Sequence, residues 1–425
     1  MSVEDQLRAC FQAAIAAALP ARILAQHLPP LAEGRTLVLG AGKASAAMAA
    51  ALEEGYGPDA PLEGLVVTRY GHAVPCRRIE IVEAAHPVPD AAGAAAAARM
   101  LALAEGLGAR DRMIALISGG GSSLLSLMPE GVSAEERDAL NRALLASGAP
   151  IDAMNCIRRH VSRIAGGRLA AAAHPASVTT LLISDVPGDD PIHIASGPTV
   201  GDPTTLEDAR AAVAAHGIDL PEGIAACLED AARESIKPGD PRLAGTETRL
   251  IATPAMALQA AASEARGFGW SVTLGSDSVE GEARVTGRSF AEAALARRAR
   301  MRPGDRPHLE LTGGETTVTI PKDGRRLGRG GRNVDFLLGF LDALGPAEGI
   351  YALAGDTDGI DGADEVAGAL ITPTSHSHAG DRLAAALHAY DGHGLFAALE
   401  DQIVTGPTLT NVNDFRAILL LPPEN

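Results

Sequence analysis

The stretch from Thr180 to Pro203, TLLISDVPGDDPIHIASGPTVGDP, joins a short apolar run to a turn-rich acidic passage. The apolar run, Leu181 to Ile183, has no polar alternation, which predicts a strand buried on both faces, as in a parallel sheet. Aspartates follow directly after it. Because ligands bind outside the carboxyl ends of the strands in open α/β sheets, this passage is a candidate for ligand chemistry.

The acidic passage offers two kinds of ligand group. Pro187 and Gly188 indicate a turn, so that Asp185 and Asp189 present carboxylates whose hard oxygens suit Mg²⁺. Beyond them we predict hydroxyls and a close-approach glycine that contact a cofactor, namely Ser196, Gly197 and Thr199. The alternative is an acidic surface loop built from ordinary turn residues.

Composition limits the class of protein. A chain of 425 residues exceeds what one hydrophobic core usually serves, so two domains are expected. Hydrophobic residues make up 46% and charged residues 21%, as in ordinary globular proteins. The net charge of -17 argues against nucleic-acid binding, which needs clustered Lys and Arg. An anionic substrate must therefore be bound by local cations.

The cysteines and the N-terminal segment predict the compartment. The four cysteines are too widely spaced for a CxxC metal site and too few to staple a long chain, so we expect reduced thiols. The first residues, MSVEDQLRAC, are acidic where a signal peptide is basic, and no apolar run approaches the roughly 18 residues of a membrane span. These features predict a cytoplasmic protein without membrane contact.

A first glycine turn lies in Thr36–Ser45, TLVLGAGKAS. An apolar strand that runs into glycines and then a helix aims backbone N–H groups at an anion, so Gly40 and Gly42 are predicted to bind a cofactor. The match to a dinucleotide fingerprint is imperfect, since Ser45 replaces the last glycine, and Leu37 excludes a Walker A loop. Tight packing of the helix on the strand is the alternative.

A second glycine turn follows the predicted strand Met113–Ile117. Consecutive glycines after a buried strand cost backbone entropy, which is explained if backbone amides must approach a ligand, most simply a phosphate. A helix is predicted to begin at Leu124, and a flexible turn is the alternative. The residues assigned to the phosphate are Ser118, Gly119, Gly120, Gly121, Ser122 and Ser123.

Alternating strand and helix signals predict an α/β fold of two domains. The first, residues 1–240, is a Rossmann-like doubly wound parallel sheet, and a Pro/Gly break at Ile236–Pro241 separates it from a smaller second domain, residues 241–425. In the second domain His308–Thr312 and Thr316–Ile320 are interpreted as a hairpin, which predicts a mixed sheet.

A candidate cation stands out in the second half. Arg332 precedes the apolar run Phe336–Leu341 and would lie near a helix N-terminus, where a cation is unfavourable unless an anion offsets it. In a separate acid-rich passage, Asp356, Asp358 and Asp361 alternate as in a calcium loop, but the glutamate that completes an EF-hand is missing. We therefore expect an anion beside Arg332.

Five motifs occur along the chain: ISDVPGDDPIHIASGPTVGDPT, LISGGGSSLL, LTGGETTV with GRGGRN, DTDGIDG, and TGPTLTNVNDFRAIL. Together they resemble the glycerate 2-kinase family, whose C-terminal part is the MOFRL domain and some of whose members are named hydroxypyruvate reductases. The resemblance implies two three-layer α/β domains facing an active-site cleft, and transfer of the γ-phosphoryl group of ATP to the 2-hydroxyl of D-glycerate with Mg²⁺. It matches Lys43 and Arg332 to the family's functional lysine and arginine.

The chain departs from the family pattern at two places. Ala165 stands where the family usually has a lysine, and Val334-Asp335 stands where it often has Gln-Glu. These departures bear on local contacts and on which acid is accepted.

A kinase has a candidate for each chemical requirement. Phosphoryl transfer needs amides and cations around the phosphates, carboxylates on Mg²⁺, and an aligned hydroxyl. The second glycine turn would hold the phosphates, Asp185 and Asp189 the metal, and Lys43 and Arg332 would neutralise developing charge. Asp189 or Asp358 is the candidate base. The expected partner is D-glycerate or a close hydroxyacid, and a homodimer stays open.

Two rival functions use the same residues. An NAD(P)H-dependent hydroxypyruvate reductase would use Gly40-Ala41-Gly42 as its pyrophosphate turn, and because Thr68-Arg69-Tyr70 supplies no acid for the ribose of NAD, it would take NADP through Arg69. That function leaves the second glycine turn without a role. A non-catalytic sensor of a nucleotide or sugar acid would need the glycine turns but no metal carboxylates.

Overall fold

Two helices open the chain in the computed structural model, which describes residues 1–321 and 323–424. They are α1, Val3–Ala16, and α2, Pro20–Ile23. A capping box between Ser2 and Asp5 satisfies backbone N–H groups at the start of α1. Among the described residues no single helix has the length and hydropathy to cross a membrane, although the bent pair Val3–Ala16 and Pro20–His27 meets both criteria together.

The chain forms two compact units that are not contiguous in sequence. The parallel-sheet unit consists of Ile23–Ser184 and Asp189–Ile251, and the mixed-sheet unit of Met1–Arg22, Asp185–Gly188 and Ala252–Asn425. This grouping differs from the division into 1–240 and 241–425. Helix α1 joins the second half because its apolar face packs there: Phe11 lies 5.3 Å from Phe415, centroid to centroid.

The parallel-sheet unit is built on a six-stranded sheet of order β3-β2-β1-β4-β5-β6, in which β1 to β5 pair in parallel. Strands β1 and β4 are buried almost throughout because both lie inside the sheet, which explains their unbroken apolar sequences. The strands are β1 Thr36–Ala41, β2 Leu62–Arg69, β3 Ile79–Ala84, β4 Arg112–Ile117, β5 Ser177–Ile183 and β6 Thr246–Ala252.

Helices of this unit begin at residues that cap them. Asp90 accepts a hydrogen bond from Gly93 N at the start of α4, and Ser133 and Glu136 form a capping box on α6. The helices are α3 Ser45–Tyr56, α4 Ala91–Glu105, α5 Gly121–Leu124, α6 Ala134–Ala146, α7 Ile151–His160, α8 Arg168–Ala172, α9 Leu206–Ala215 and α10 Glu222–Glu229.

The prediction that a helix begins at Leu124 is wrong. Helix α5 is a single turn that ends at Leu124, and the next helix begins at Ala134. A helix continuing from Leu124 would need the backbone N–H of residue 129 as a donor, and Pro129 has none.

The mixed-sheet unit contains a six-stranded sheet of order β11-β10-β9-β12-β8-β7, in which β7 and β8 pair in parallel and the other pairs are antiparallel. The strands are β7 Ser271–Leu274, β8 His308–Gly314, β9 Ile350–Asp356, β10 Gly368–Ile371, β11 Gln402–Ile403 and β12 Asp414–Leu420. The helices are α11 Pro254–Gly267, α12 Ala283–Arg298, α13 Arg332–Leu344, α14 Ser375–Ala379, α15 Arg382–Ala389 and α16 Gly392–Ala398.

The predicted class is confirmed: the protein is α/β, with a Rossmann-like parallel sheet and a second, mixed sheet. The predicted hairpin is wrong, because Thr316–Ile320 forms no strand in the described structure. Both edges of β8 are already occupied, one by β12 and the other by β7. The cysteines are free thiols, as predicted.

Helices α12 and α13 pack backbone to backbone in the core of the mixed-sheet unit. A Cβ added at Gly287 would overlap the carbonyl oxygen of Phe336, and one added at Gly339 would overlap that of Arg284. Side chains at these two positions would therefore force the helices apart.

We expect Gly287→Ala to destabilise the protein by about 2 kcal/mol or more, because the added methyl group has no space and overpacking costs roughly 1–3 kcal/mol. Denaturant unfolding followed by circular dichroism measures this. Gly267→Ala, at a helical glycine with no neighbour within 4 Å of the added Cβ, is the control and should change stability little. Equal stability of the two variants would contradict the close approach.

Candidate active site

The two glycine turns leave the parallel sheet at its topological switch point. From β1 the chain adds β2 and β3 on one side, whereas β4, β5 and β6 extend the other side, so the strand order reverses between β1 and β4. Ligands bind beside such a point, at the carboxyl ends of the strands. The first turn follows β1 and the second follows β4, so both lie at this position.

Backbone hydrogen bonds join the two turns. Lys43 N donates to Gly119 O (2.9 Å), and Ser118 N donates to Ala41 O (3.1 Å). Ser118 Oγ accepts from Ala44 N (3.0 Å). Predicted site residues from two separate motifs are thus in direct contact.

The glycines of the first turn are required by packing. A Cβ at Gly40 would lie 2.5 Å from Leu116 O, and Gly42 has φ of 135°, which side chains rarely adopt. Ser45 closes the turn, since its hydroxyl lies within hydrogen-bond distance of two carbonyl oxygens, Gly42 O (2.7 Å) and Val67 O (2.8 Å). Close packing, the alternative that the sequence left open, therefore accounts for these two glycines by itself.

Positive charge and neutral imidazoles surround the second turn. A Cβ added at Gly120 would lie 2.8 Å from His86 Nε2 and 3.4 Å from Lys43 Cγ. Burial, followed by the charges of Lys43 and Arg69, lowers the pKa of His86 to about 4. Burial and Arg69 also lower the pKa of His72, whose Nδ1 lies 3.4 Å from Lys43 O. Both imidazoles are therefore neutral at pH 7, and the cations favour an anion here.

Sequence reasoning missed His72 and His86 and used Arg69 only for the reductase alternative. A signal was available, because Arg69 ends β2, His72 follows it by three residues, and His86 follows β3 by two. All three therefore lie at the carboxyl ends of parallel strands, at the same edge of the sheet as the glycine turns.

The structure brings Ser196 to the second glycine turn. Ser122 Oγ and Ser196 Oγ are 2.9 Å apart, and Ser123 Oγ donates to Gly120 O (3.1 Å). Ser196 has φ of 60°, an uncommon conformation for a residue other than glycine, and Gly197 follows at 59°. Thr199 is buried. Backbone strain at Ser196 thus accompanies its contact with the turn.

The two aspartates predicted as metal ligands belong to different units. Asp185 lies in the mixed-sheet unit, where its carboxylate accepts from Asn411 Nδ2 (2.9 Å) and its carbonyl oxygen accepts from Asn413 Nδ2 (3.1 Å). Asp189 lies in the parallel-sheet unit with φ of 55°. Over residues 1–321 and 323–424, no three His, Cys, Asp or Glu side chains are grouped to hold a metal ion. Mg²⁺ bound with a nucleotide commonly needs only one or two carboxylates, so the chemistry of either aspartate suits it.

In the mixed-sheet unit three carboxylates surround Arg332, the first residue of α13. Its Nε donates to Asp414 Oδ1 (3.0 Å), its Nη2 to Asp356 Oδ2 (2.7 Å), and its Nη1 to Glu315. Burial acts to lower the pKa of Arg332, but the charges of Asp414, Asp356 and Glu315 outweigh it and raise the pKa. The anion expected at this position is therefore supplied by the protein, and the location of Arg332 does not itself require a ligand.

The sheet register explains how these carboxylates meet. Asp414 begins β12 and pairs with Asp356 on β9 and with Gly314 on β8, next to Glu315. Asp414 also accepts from Asn333 Nδ2 (2.8 Å) and Arg416 Nη2 (2.8 Å). Sequence reasoning assigned no role to Asp414 or Glu315, although each lies at a strand end within a motif.

Asp361 fixes the start of α13. Its carboxylate accepts from the backbone N–H groups of Asn333 (3.0 Å) and Val334 (2.9 Å). Burial raises the pKa of Asp361 to about 7 against these hydrogen bonds. The candidate base Asp358 is buried, and its Oδ1 accepts from Ile360 N (2.8 Å). Asp361 thus positions Arg332, whereas Asp358 supports its own turn.

These features define a class: an α/β protein of two units, with two paired glycine turns at the switch point of its parallel sheet and a carboxylate-bound arginine in its mixed-sheet unit. Residues 6–229 match the model of a domain of unknown function, DUF4147, and residues 308–414 match the MOFRL family. The chain belongs to the glycerate 2-kinase family, as its motifs predicted.

Named relatives cover almost the whole chain. It is 36% identical to D-glycerate 2-kinase of Thermotoga maritima over 94% of each chain, and 52% identical to an Agrobacterium vitis protein with the provisional name hydroxypyruvate reductase, over 99% of this chain and 95% of that one. The crystal structure of Thermotoga maritima glycerate kinase superposes with a TM-score of 0.88 at 34% identity, covering 99% of this chain and 100% of that one.

We expect Asp414→Asn to destabilise the protein by roughly 3–5 kcal/mol, because it leaves the buried Arg416 and the partly buried Arg332 short of a carboxylate. Denaturant unfolding measures the change. The control is Asp342→Asn, whose exposed pair with Arg288 should contribute no more than about 1 kcal/mol. A change at Asp414 as small as at Asp342 would contradict the buried network.

Proposed function

We propose that the protein transfers the γ-phosphoryl group of ATP to the 2-hydroxyl of D-glycerate, forming ADP and 2-phosphoglycerate with Mg²⁺. The observation that carries the proposal is the meeting of two glycine turns beside Lys43 and Arg69 at the switch point of the parallel sheet. Such an edge suits a polyphosphate. Membership of the glycerate 2-kinase family supports the acceptor.

Phosphoryl transfer needs positioning and charge neutralisation more than covalent chemistry. The backbone of Gly119 to Gly121 binds the phosphates, with the hydroxyls of Ser122 and Ser123 beside it. Lys43 acts as a point charge on the transferred group. His72 and His86 are neutral and add hydrogen-bonding capacity without charge.

The remaining assignments come from the acidic passages. Asp185 and Asp189 would hold Mg²⁺, which when bound supplies charge neutralisation at the phosphate oxygens. Asp189 or Asp358 accepts the proton of the 2-hydroxyl. Arg332 contributes a second cation, and Ser196, Gly197 and Thr199 support the phosphate-binding turn.

Hydroxypyruvate reduction with NADPH is the second candidate. The strand order equals that of dinucleotide-binding sheets, Arg69 ends β2 where it could meet a 2′-phosphate, and the Agrobacterium vitis relatives carry that name. Against it, Ser45 occupies the place of the last glycine and its hydroxyl closes the turn. The second glycine turn would also lack a role.

Incubation of the protein with ATP, Mg²⁺ and D-glycerate should yield 2-phosphoglycerate, which enolase converts without added phosphoglycerate mutase. Chelation of Mg²⁺ should abolish the reaction. A product visible to enolase only after mutase is added would move the transfer to another hydroxyl. NADPH oxidation with hydroxypyruvate and no phosphorylation would establish the reductase, and ligand binding without turnover would indicate a sensor.

Lys43→Ala and Arg332→Ala should each lower kcat/KM by about two orders of magnitude, because each removes a cation that balances charge in the transition state. Arg332→Lys should restore only part of the activity, since the planar fork is lost. Steady-state kinetics measures both effects, with unfolding curves to separate loss of activity from loss of fold. The control is Arg288→Ala on the surface. Activity of a folded variant within about threefold of the parent would remove that residue from the site.

A further inference from the structure

A cavity of about 510 Å³ lies within the parallel-sheet unit, beside the second glycine turn. Its walls are largely apolar, and a few polar groups, among them Arg158, Asn141 and serine hydroxyls, face into it. Apolar walls with a small number of polar groups are typical of sites that take a ligand of nucleoside size or larger. Its apolar lining includes Val88, Leu125, Met128, Leu140 and Val161.

The cavity is continuous with the glycine turn. Ser122, Ser123 and Ser196 line it, and the turn faces Lys43 at Gly120. At most about 11 Å of chain separates Gly120 from Ser123. A ligand with a polyphosphate chain at the turn would therefore extend its remaining part into the cavity.

Arg158 gives an independent sign of a ligand. This half-buried guanidinium on α7 donates to Asn155 Oδ1 (3.2 Å), and the structure gives it no carboxylate partner among the described residues. Nearby arginines differ: Arg159 pairs with Asp202 (3.0 Å) and Arg137 with Asp138 (2.9 Å). Burial alone lowers the pKa of Arg158. A desolvated cation with unused N–H donors is costly unless a ligand supplies acceptors.

We propose that this cavity is the nucleoside subsite of the phosphoryl donor, in which apolar side chains cover the base and Arg158 donates to acceptor atoms of the nucleoside. The proposal rests on the ATP dependence proposed above. D-Glycerate is a poor alternative occupant, because a three-carbon acid would leave most of a cavity this large empty and gains nothing from apolar walls. Arg158 is a specificity-determining residue in this arrangement and takes no part in the chemistry.

Arg158→Gln in the full-length protein tests the assignment, with ADP and inorganic pyrophosphate as calorimetric probes. The variant should bind ADP at least about tenfold more weakly and raise KM for ATP similarly, with pyrophosphate affinity and KM for D-glycerate within about twofold. Arg163→Gln, whose side chain pairs with Glu130 outside the cavity, should leave all four values unchanged. Ala165→Met, which fills the cavity, should reproduce the ADP effect.

Hydrogen exchange of the unmodified protein tests the subsite without requiring that any variant folds. ADP should slow exchange at residues 124–128 and 158–165, and pyrophosphate should not. Equal weakening of ADP and pyrophosphate, a rise in KM for D-glycerate alone, or an absence of protection by ADP would each overturn the subsite. If ADP slows exchange at these residues but glycerate is not phosphorylated, the proposed function is refuted and the subsite stands. If glycerate is phosphorylated but ADP slows exchange elsewhere, the subsite is refuted and the proposed function stands.

Discussion

The candidate site depends on the backbone pairing between two glycine turns at the β1–β4 switch point. Lys43 N donates to Gly119 O, and Ser118 N donates to Ala41 O, so the two turns are hydrogen-bonded to each other. This pairing holds the Lys43 side chain near Gly120 and His86. Because burial and neighbouring cations keep His86 neutral, the positive charge of the site comes from Lys43 and Arg69. An anion at this edge is thus favoured by sheet topology, by the backbone and by charge together.

In the mixed-sheet unit the cation Arg332 is bound by carboxylates of the protein. Antiparallel register brings Asp356, Asp414 and Gly314 side by side, so carboxylates from three strand ends converge on Arg332. Asp361 then fixes the first turn of α13 through two backbone N–H groups. This unit thus encloses its arginine in acidic groups. Burial makes such an arrangement stable only when every charged member keeps its partner.

The sequence was sufficient for features that depend on local pattern. Apolar runs predicted β1, β4 and β5, and glycines predicted both turns, because burial and backbone conformation restrict which residue type each position accepts. Features decided by competition between distant segments were not predictable in this way. Thr316–Ile320 has the composition of a strand, but β12 pairs with the edge of β8 to which a hairpin partner would bind. The sequence indicated that a cation at the start of α13 is unfavourable. It did not indicate the carboxylates that offset this cost, because one of them, Asp414, lies 82 residues from Arg332 in the chain.

The environment of Arg332 bears on what it can bind. A guanidinium group has five N–H donors, and the three carboxylate bonds use three of them, which leaves two. Three carboxylates and two guanidinium groups, those of Arg332 and Arg416, leave a surplus of negative charge. A further carboxylate placed beside Arg332 would be repelled by that surplus. The two remaining N–H donors lie in the plane of the guanidinium group, an arrangement that a lysine at this position cannot present.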